Sequence, residues 1–216
     1  QRIVKLLAQR AARIEVRSAA ALLAQSRERV QATLAHLHGA ALKAAAELAA
    51  VDAAWRSLEP ALDAPAARAD LAAADAAAAQ LLEAAERLVA AFEAGSGVRS
   101  VRIVNLCGRQ RMRAQRIVKL ALLAPAARDG AQAVEREIAE FEHALDELER
   151  APLTSPDVRA GLLAAREEWL RLLRGLRDAG QTQGRTAMAH SSERLLDHFE
   201  ALTTAYENSL QVIMNG

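Results

Sequence analysis

The sequence predicts an all-α protein, and three observations support this prediction. Hydrophobic residues make up 52% of the chain but aromatic residues only 3%, because alanine supplies much of the apolar share. Alanine-rich, leucine-containing sequence with many charges and few glycines or prolines is typical of long packed helices, whereas β-structure favours β-branched and aromatic residues. In addition, apolar residues recur with helical spacing between well-separated turn signals.

Five short clusters of glycine, proline or polar turn residues divide the chain into helical segments. The clusters lie at 38–39, 60–65, 95–97, 152–156 and 180–184. The predicted helices cover roughly 1–38, 40–61, 65–94, 98–150, 156–179 and 185–214. Ser155 followed by Pro156 predicts an N-cap with proline at the first helical position. Pro125 predicts a kink or a split in the fourth helix, since proline removes a helical hydrogen bond.

The chain contains an internal repeat. The hexapeptide QRIVKL opens the chain at Gln1 and returns at Gln115, a shift of 114 residues. The same shift aligns Leu48 with Leu162, Trp55 with Trp169, Leu58 with Leu172, Leu62 with Leu176, Leu81 with Leu195, Leu82 with Leu196, Leu88 with Leu202 and Phe92 with Tyr206. Around Val30 and Phe141 a shift of 111 aligns better, which indicates a loop of different length. The repeat predicts two units of similar construction.

The two predicted units are 1–94 and 98–216. Each would contain three helices: a long one with the QRIVKL segment, a shorter one with the tryptophan and a closing one with an aromatic residue. We expect an elongated antiparallel helical bundle with pseudo-two-fold symmetry, in which the two QRIVKL helices approach each other. The aromatic residues expected in the cores are Trp55, Trp169, Phe92 and Tyr206.

Charge and composition exclude several classes of function. Lysine and arginine total 28, and aspartate and glutamate total 27, so the net charge of +1 does not suit a nucleic-acid binder. The single Cys107 excludes an intramolecular disulfide and a cysteine metal site. The chain lacks an uncharged apolar run of about 18 residues, so we expect no membrane span. No signal peptide is visible, but the chain begins in mid-helix, which leaves a preceding targeting segment open.

The most unusual segment is 104–123, a predicted helix with an interior glycine and a row of arginines. One face carries Val104, Gly108, Arg111, Gln115 and Leu122, and the adjoining face carries Asn105, Arg109, Met112 and Arg116. Glycine costs about 1 kcal/mol relative to alanine in a helix, so Gly108 predicts the approach of another backbone and a hollow beside Arg111. A small planar anion fits such a hollow, because guanidinium donates two parallel hydrogen bonds.

The residues NLCGRQRMRAQRIVK at 105–119 resemble the signature of the PilJ-type sensor domain, found at the N-terminus of type IV pilus chemotaxis transducers. They are also similar to a helix of bacterial nitrate/nitrite sensor kinases. The resemblance implies a helical bundle that binds a small anion, nitrate or nitrite first, between two copies of this helix. It makes Gly108 and Arg111 the expected anion contacts. The other expected ligand-binding residues are Asn105, Arg109, Met112, Gln115 and Arg116.

The chain departs from the family pattern at three places. Cys107 stands where the family prefers alanine, and Arg113-Ala114 replaces a pair of an apolar residue and serine. The first unit begins at Gln1 and therefore lacks the GRQRM half of the motif. We expect the missing half to come from residues before Gln1 or from a second chain, unless it has no counterpart.

The predicted function is that of a sensory module of bacterial signal transduction, not an enzyme, and without a cofactor. Its expected partners are a small anion, a receptor or kinase and a second copy of the chain. The periplasm is the expected compartment, with the cytoplasm left open. One alternative is a ligand-free helical scaffold whose arginines pair with glutamates of neighbouring helices. Another is a metalloprotein of the ferritin-like class, for which Glu140 and His143 have the right spacing but lack a second pair.

Overall fold

A computed structural model describes residues 1–39, 44–63, 68–96, 100–123, 128–151 and 155–215. All regular structure in these ranges is helical, which confirms the all-α prediction. The α-helices are α1 (Arg2–Ala11), α2 (Val16–Gly39), α3 (Ala45–Leu58), α4 (Arg68–Ser96), α5 (Ser100–Leu123), α6 (Arg128–Glu149), α7 (Pro156–Arg177) and α8 (Thr182–Asn215). A short 3-10 helix, Glu59–Leu62, follows α3.

The chain divides into two compact units, Gln1–Val98 and Arg99–Gly216. Within the described ranges the first unit contains α1 to α4 and the second contains α5 to α8. The prediction of three helices per unit is therefore wrong, because the long first helix expected in each unit is two helices. In the second unit α5 ends at Leu123 and α6 begins at Arg128, and the predicted break at Pro125 lies outside the described residues.

The break between α1 and α2 contains no glycine or proline that would predict it from the sequence. Arg13 and Glu15 adopt positive φ angles of 57° and 47°, in the left-handed region that side chains other than glycine rarely enter. Between them, Ile14 is only 1% exposed. Burial of this isoleucine offsets part of the cost of two left-handed residues, which is of the order of 1–3 kcal/mol each. Helical periodicity alone does not reveal such a turn.

Several features of the two units agree with the 114-residue repeat. The last helices begin at Arg68 and Thr182, which are 114 positions apart. Trp55 and Trp169 are both buried, with exposed fractions of 4% and 1%. The two QRIVKL lysines, Lys5 and Lys119, are also both buried, which is rare for lysine. The repeat stays a prediction, and these shared positions support it.

The core of the second unit is built around Trp169 of α7. Its ring stacks on Phe141 of α6 with centroids 4.0 Å apart, and Phe199 of α8 meets Phe141 edge-on at 5.8 Å. The Tyr206 hydroxyl donates a 3.3 Å hydrogen bond to the carbonyl of Leu148. Aromatic rings therefore join α6, α7 and α8. Helix α5 packs against α6 and α8 and completes this core.

The predicted start of α7 is confirmed. Ser155 Oγ accepts a 3.2 Å hydrogen bond from the backbone N–H of Val158, and Pro156 is the first helical residue. This cap satisfies one of the backbone donors that a helix leaves unpaired at its N-terminus. From this fixed start α7 runs alongside α8, with which it makes the most extensive helix packing of the unit.

The prediction that Phe92 is a core residue is wrong, because its side chain is 37% exposed while its counterpart Tyr206 is fully buried. The reason lies in the second helix of each unit. In α6 the side chains of Phe141, Leu145 and Leu148 are fully buried. Their counterparts in α2, at the shift of 111, are only half-buried; they are Val30, Leu34 and Leu37. Helix α2 therefore covers its unit less completely than α6 does.

Candidate functional site

The candidate site lies on α5, which carries the whole motif and contacts both α6 and α8. The buried residues of this helix are Cys107, Gln110, Ala114, Gln115, Ile117, Val118 and Lys119. The other motif residues lie beside them. Asn105, Gly108, Arg111 and Met112 are half-buried, and Arg109 is exposed. These five predicted contact residues therefore lie at the border between core and solvent, whereas Gln115, another of the predicted set, is buried.

Two buried glutamines of α5 form hydrogen bonds with the neighbouring helices α6 and α8. Gln110 Nε2 donates a 2.8 Å hydrogen bond to the carbonyl of Phe141 on α6, and Gln115 Nε2 donates a 2.7 Å bond to the carbonyl of Ser192 on α8. The amide oxygens of both glutamines are buried without a hydrogen-bond partner among the described residues. Such an oxygen costs about 1–3 kcal/mol of desolvation. A shift of α5 would break one or both of these bonds.

Two arginines of the motif helix are engaged by glutamates of α6. Arg113 Nη2 lies 2.9 Å from Glu140 Oε2, and Arg113 Nη1 donates a 2.8 Å hydrogen bond to the Glu140 carbonyl. Arg116 Nε lies 3.2 Å from Glu137 Oε1, an ion pair without hydrogen-bond alignment. For Arg113 and Arg116 the pairing with a neighbouring helix, expected for a structural role, is therefore present. Because Arg116 is paired with Glu137 of α6, its guanidinium is less available to a ligand than the prediction assumed.

Arg111 and Gly108 are brought together beside open space. The Arg111 Nη2 atom lies 3.8 Å from the position that a Cβ atom on Gly108 would occupy, and no atom of another described element comes within 4 Å of that position. Among the described residues, the expected approach of another backbone to Gly108 is therefore absent. What the glycine leaves is a hollow edged by the guanidinium. Neither Arg111 nor Arg109 forms an ion pair within the part of the chain that the structure describes.

Cys107, which precedes Gly108 in the motif, is fully buried. Burial raises the pKa of its thiol to about 12, and this effect outweighs the nearby charge of Arg111 and a hydrogen bond with the Thr203 side chain, which both lower it. A thiol with such a pKa is neutral and unreactive at physiological pH. Cys107 is therefore a packing residue that also lies within electrostatic reach of the Arg111 guanidinium.

The metal alternative gains no support from the geometry. Glu140 and His143 are both exposed on α6, and Glu140 is paired with Arg113. Across the described ranges no three acidic, histidine or cysteine side chains are grouped so that they could hold a metal ion. A search of the described helices for a stretch long and apolar enough to cross a membrane finds none.

Part of the second unit matches a known family model. Residues 98–195 match the PilJ family model, described as "Type IV pili methyl-accepting chemotaxis transducer N-term". The match covers α5, α6, α7 and the first part of α8. No curated protein and no solved structure gave a match. The resemblance expected from the motif at 105–119 is thereby confirmed for this part of the chain.

Proposed function

We propose that this chain, whose residues 98–195 match the PilJ family model, is a sensory module that binds nitrate or nitrite beside Gly108 and Arg111. The observation that carries the proposal is the position of the Arg111 guanidinium. It borders a hollow over Gly108 and has no carboxylate partner in the described ranges. A cation in this position attracts a small anion, and the neighbouring Arg113 and Arg116 are already paired with α6.

The chemistry of the ligand follows from the shape of the group that would bind it. A guanidinium presents N–H donors in one plane, which suits the coplanar oxygens of nitrate or nitrite. Asn105, Arg109 and Met112 flank the hollow on the same helix and would limit its size. Gln115 and Arg116 lie one turn further along. We propose that they support the site through their bonds to α8 and α6.

Signalling would use the polar links of α5. An anion biases a conformational equilibrium only if it binds the two states unequally. Gln110 and Gln115 fix the present position of α5 against α6 and α8. A bound anion that draws α5 outward or along its axis would strain these two bonds, and helix shifts of about 1–2 Å are a common form of such a response. The change would then pass to α8.

A second motif helix would complete the site, because a single guanidinium encloses an anion on one side only. We propose that a second copy of the chain supplies it, and that the assembled module acts on a receptor or kinase partner. The periplasm is the proposed compartment, since a chemotaxis transducer samples ligands outside the cytoplasm through its sensory domain.

Thermal unfolding with added anions tests the proposal. Nitrate, nitrite, chloride and sulfate are compared at matched ionic strength for the wild type, Arg111→Ala and Arg159→Ala, an exposed arginine of α7 that serves as the control. A specific ligand at about 100 times its Kd adds about 2.7 kcal/mol of stability, which is several degrees in Tm. We expect nitrate or nitrite to raise the Tm of the wild type and the control but not of Arg111→Ala. Equal effects of all four anions would contradict the proposal.

A second candidate function, a ligand-free scaffold, is favoured by one observation. Leu163 and Leu170 lie seven residues apart on α7, and they are 64% and 53% exposed. Apolar side chains repeated at this spacing on one helix face are a feature of protein contacts. If this face serves a scaffold, Leu163→Ser with Leu170→Ser abolishes co-purification with a partner while no anion changes the Tm. The sensor proposal predicts the anion response to persist in that double variant.

A further inference from the structure

A second cleft lies between the end of α7 and the start of α8, away from the motif helix. It encloses about 450 Å³, within the range of roughly 300–1,000 Å³ that is usual for small-molecule sites. Among its lining residues are Glu168, Arg171 and Arg174 from α7 and His190, Ser191 and Arg194 from α8. Three arginines thus surround one cavity in a protein whose net charge is only +1.

Two glycines set the shape of this cleft. A Cβ atom on Gly175 would lie 2.8 Å from the backbone nitrogen of Met188, and one on Gly184 would overlap the carbonyl group of Asp178. Side chains at either position would force the backbones apart. The close contact of α7 and α8 at Gly175 and Gly184 therefore fixes the spacing of the walls beside it. The cleft is built by the backbone and does not depend on mobile side chains alone.

A buried carboxylate holds two of the arginines in place. Glu168 is 1% exposed, and its Oε2 atom lies 2.7 Å from Arg171 Nη1 and 3.6 Å from Arg194 Nη1. The Ser191 side chain is also hydrogen-bonded to this carboxylate. Because Arg171 belongs to α7 and Arg194 to α8, one carboxylate orients guanidinium groups from both walls. Their remaining N–H donors are available to the cleft.

Arg174 adds a third cation that no carboxylate holds. It lines the same cleft, is exposed, and has no ion pair or hydrogen bond from its side chain in the ranges that the structure describes. The acidic groups that line the cleft are Glu168 and Asp178, and the cationic groups are Arg171, Arg174 and Arg194. Three arginines against two carboxylates leave the lining with one positive charge in excess. This excess favours an anionic ligand over a neutral or cationic one.

The fold does not require this charged set. At the shift of 114 the first unit has Ala54, Ser57, Pro60, Ala76, Ala77 and Gln80 where the second has Glu168, Arg171, Arg174, His190, Ser191 and Arg194. Ala54 is buried, as Glu168 is, so alanine packs at the position that the predicted repeat aligns with Glu168. A buried carboxylate is costly unless it is paired, and apolar packing is the cheaper solution. Its presence in the second unit alone indicates a binding role.

We infer that this cleft is a separate binding site for a small organic anion that carries carboxylate or phosphate groups. Arginine recognises both groups through paired hydrogen bonds, and three guanidiniums suit a ligand with two anionic ends. The volume exceeds what nitrate or nitrite fills, so the occupant is a larger molecule than the anion proposed at Arg111. The inference does not depend on nitrate binding, since the two sites share no residue.

Calorimetric titration of the full chain tests this inference. The probes are succinate and citrate for the carboxylate arm and glycerol 3-phosphate and inorganic phosphate for the phosphate arm, all at matched ionic strength. The variants are Arg174→Ala and the control Arg159→Ala, both exposed arginines of α7. We expect at least one probe to bind the wild type and the control equally. Arg174→Ala should weaken that binding roughly tenfold or more, because a hydrogen bond to a charged group is lost.

Two outcomes overturn the inference: none of the four probes binds, or a probe binds Arg174→Ala as tightly as the control. Since the Arg174 side chain is exposed and unpaired in the described ranges, Arg174→Ala is expected to keep the wild-type Tm, and loss of folding does not confuse the result. Arg111→Ala separates this site from the first one. It should leave binding of the organic anion unchanged, whether or not nitrate binds at Arg111.

Discussion

The Arg111 guanidinium lies 3.8 Å from the place where a Cβ atom on Gly108 would be, and no atom of another element in the described ranges comes within 4 Å of that place. The glycine therefore keeps space free beside a cation, whereas Gly175 and Gly184 admit a neighbouring backbone. A side chain at Gly108 would therefore meet a guanidinium, whereas one at Gly175 or Gly184 would meet backbone atoms. This difference makes substitutions at these positions informative.

Gly108→Ala should fold normally and lose anion binding. Its methyl group meets only Arg111 Nη2 at an ordinary contact distance, and alanine favours a helix over glycine by about 1 kcal/mol. We expect an unchanged or slightly higher Tm, together with a loss of the nitrate response because the methyl fills the hollow. Gly184→Ala is the matched contrast. Its Cβ would overlap Asp178, so we expect a loss of about 1–3 kcal/mol from overpacking. A full nitrate response in Gly108→Ala would show that the hollow at Gly108 is not needed for anion binding.

Glu168→Gln should lower the free energy of unfolding at neutral pH and make it depend less on pH in the acid range. Burial raises the pKa of Glu168, but hydrogen bonds from Ser191 and Arg171 and the charges of Arg171 and Arg194 outweigh it, so the pKa lies below its usual range. The ionised carboxylate therefore stabilises the fold above the unfolded pKa of about 4.3, and this contribution is lost as pH falls through the folded pKa.

The measurement for Glu168→Gln is urea unfolding between about pH 2 and pH 7. We expect a loss of about 1–3 kcal/mol at pH 7 that shrinks toward the acid end. Glu167→Gln is the control, because Glu167 is the adjacent residue, is 62% exposed and lies 4.0 Å from Arg171. Its effect should stay within about 0.5 kcal/mol. Equal effects of the two substitutions would show that the buried carboxylate has no special role.

The single tyrosine reports on the core of the second unit. Burial raises the pKa of Tyr206 to about 12, with a further contribution from Cys107. In the unfolded chain the pKa is about 10, so the stability that the neutral hydroxyl provides is present below pH 10 and is lost as pH rises toward 12. Absorbance of tyrosinate near 295 nm should rise only close to pH 12 or with loss of helical circular dichroism. Half-ionisation near pH 10 in the folded protein would contradict the buried position.

Cys107 offers a probe of motion in the motif helix. It is fully buried, and burial raises its pKa to about 12. A water-soluble disulfide reagent should therefore react with the native protein at least about a hundredfold more slowly than with the urea-unfolded chain. If nitrate draws α5 away from α8, the native reaction should become faster with nitrate and stay unchanged in Arg111→Ala. Rapid native labelling without any ligand would show that α5 is not packed as described.

Local rules predicted the features that depend on neighbouring residues or on repeated patterns. The cap at Ser155 and Pro156 needs only a side-chain acceptor and a proline without a backbone donor. Trp55 and Trp169 were expected in the core because they coincide in the repeat, and both are buried. Such features can be predicted from the sequence because packing and capping follow from residue type and spacing.

Other features depend on contacts that spacing does not reveal. The turn at Arg13 and Glu15 uses left-handed residues without glycine, and Phe92 is exposed because α2 covers its unit less fully than α6 does. Helical spacing does not predict the cleft at Glu168, because its walls belong to two helices whose contact depends on Gly175 and Gly184. A signal for it was present in the sequence. The predicted repeat aligns its charged residues with alanine, serine, proline and glutamine.

Calorimetric titration of nitrate into the wild type, Arg111→Ala and Arg174→Ala tests the central claim most directly. Both variants remove one arginine without an ion pair in the described ranges, but only Arg111 borders the Gly108 hollow. If nitrate binds at Gly108 and Arg111, its titration gives saturable heat with the wild type and with Arg174→Ala, and none with Arg111→Ala. Equal nitrate binding by all three proteins, or binding by none of them, would contradict an anion site at Gly108 and Arg111.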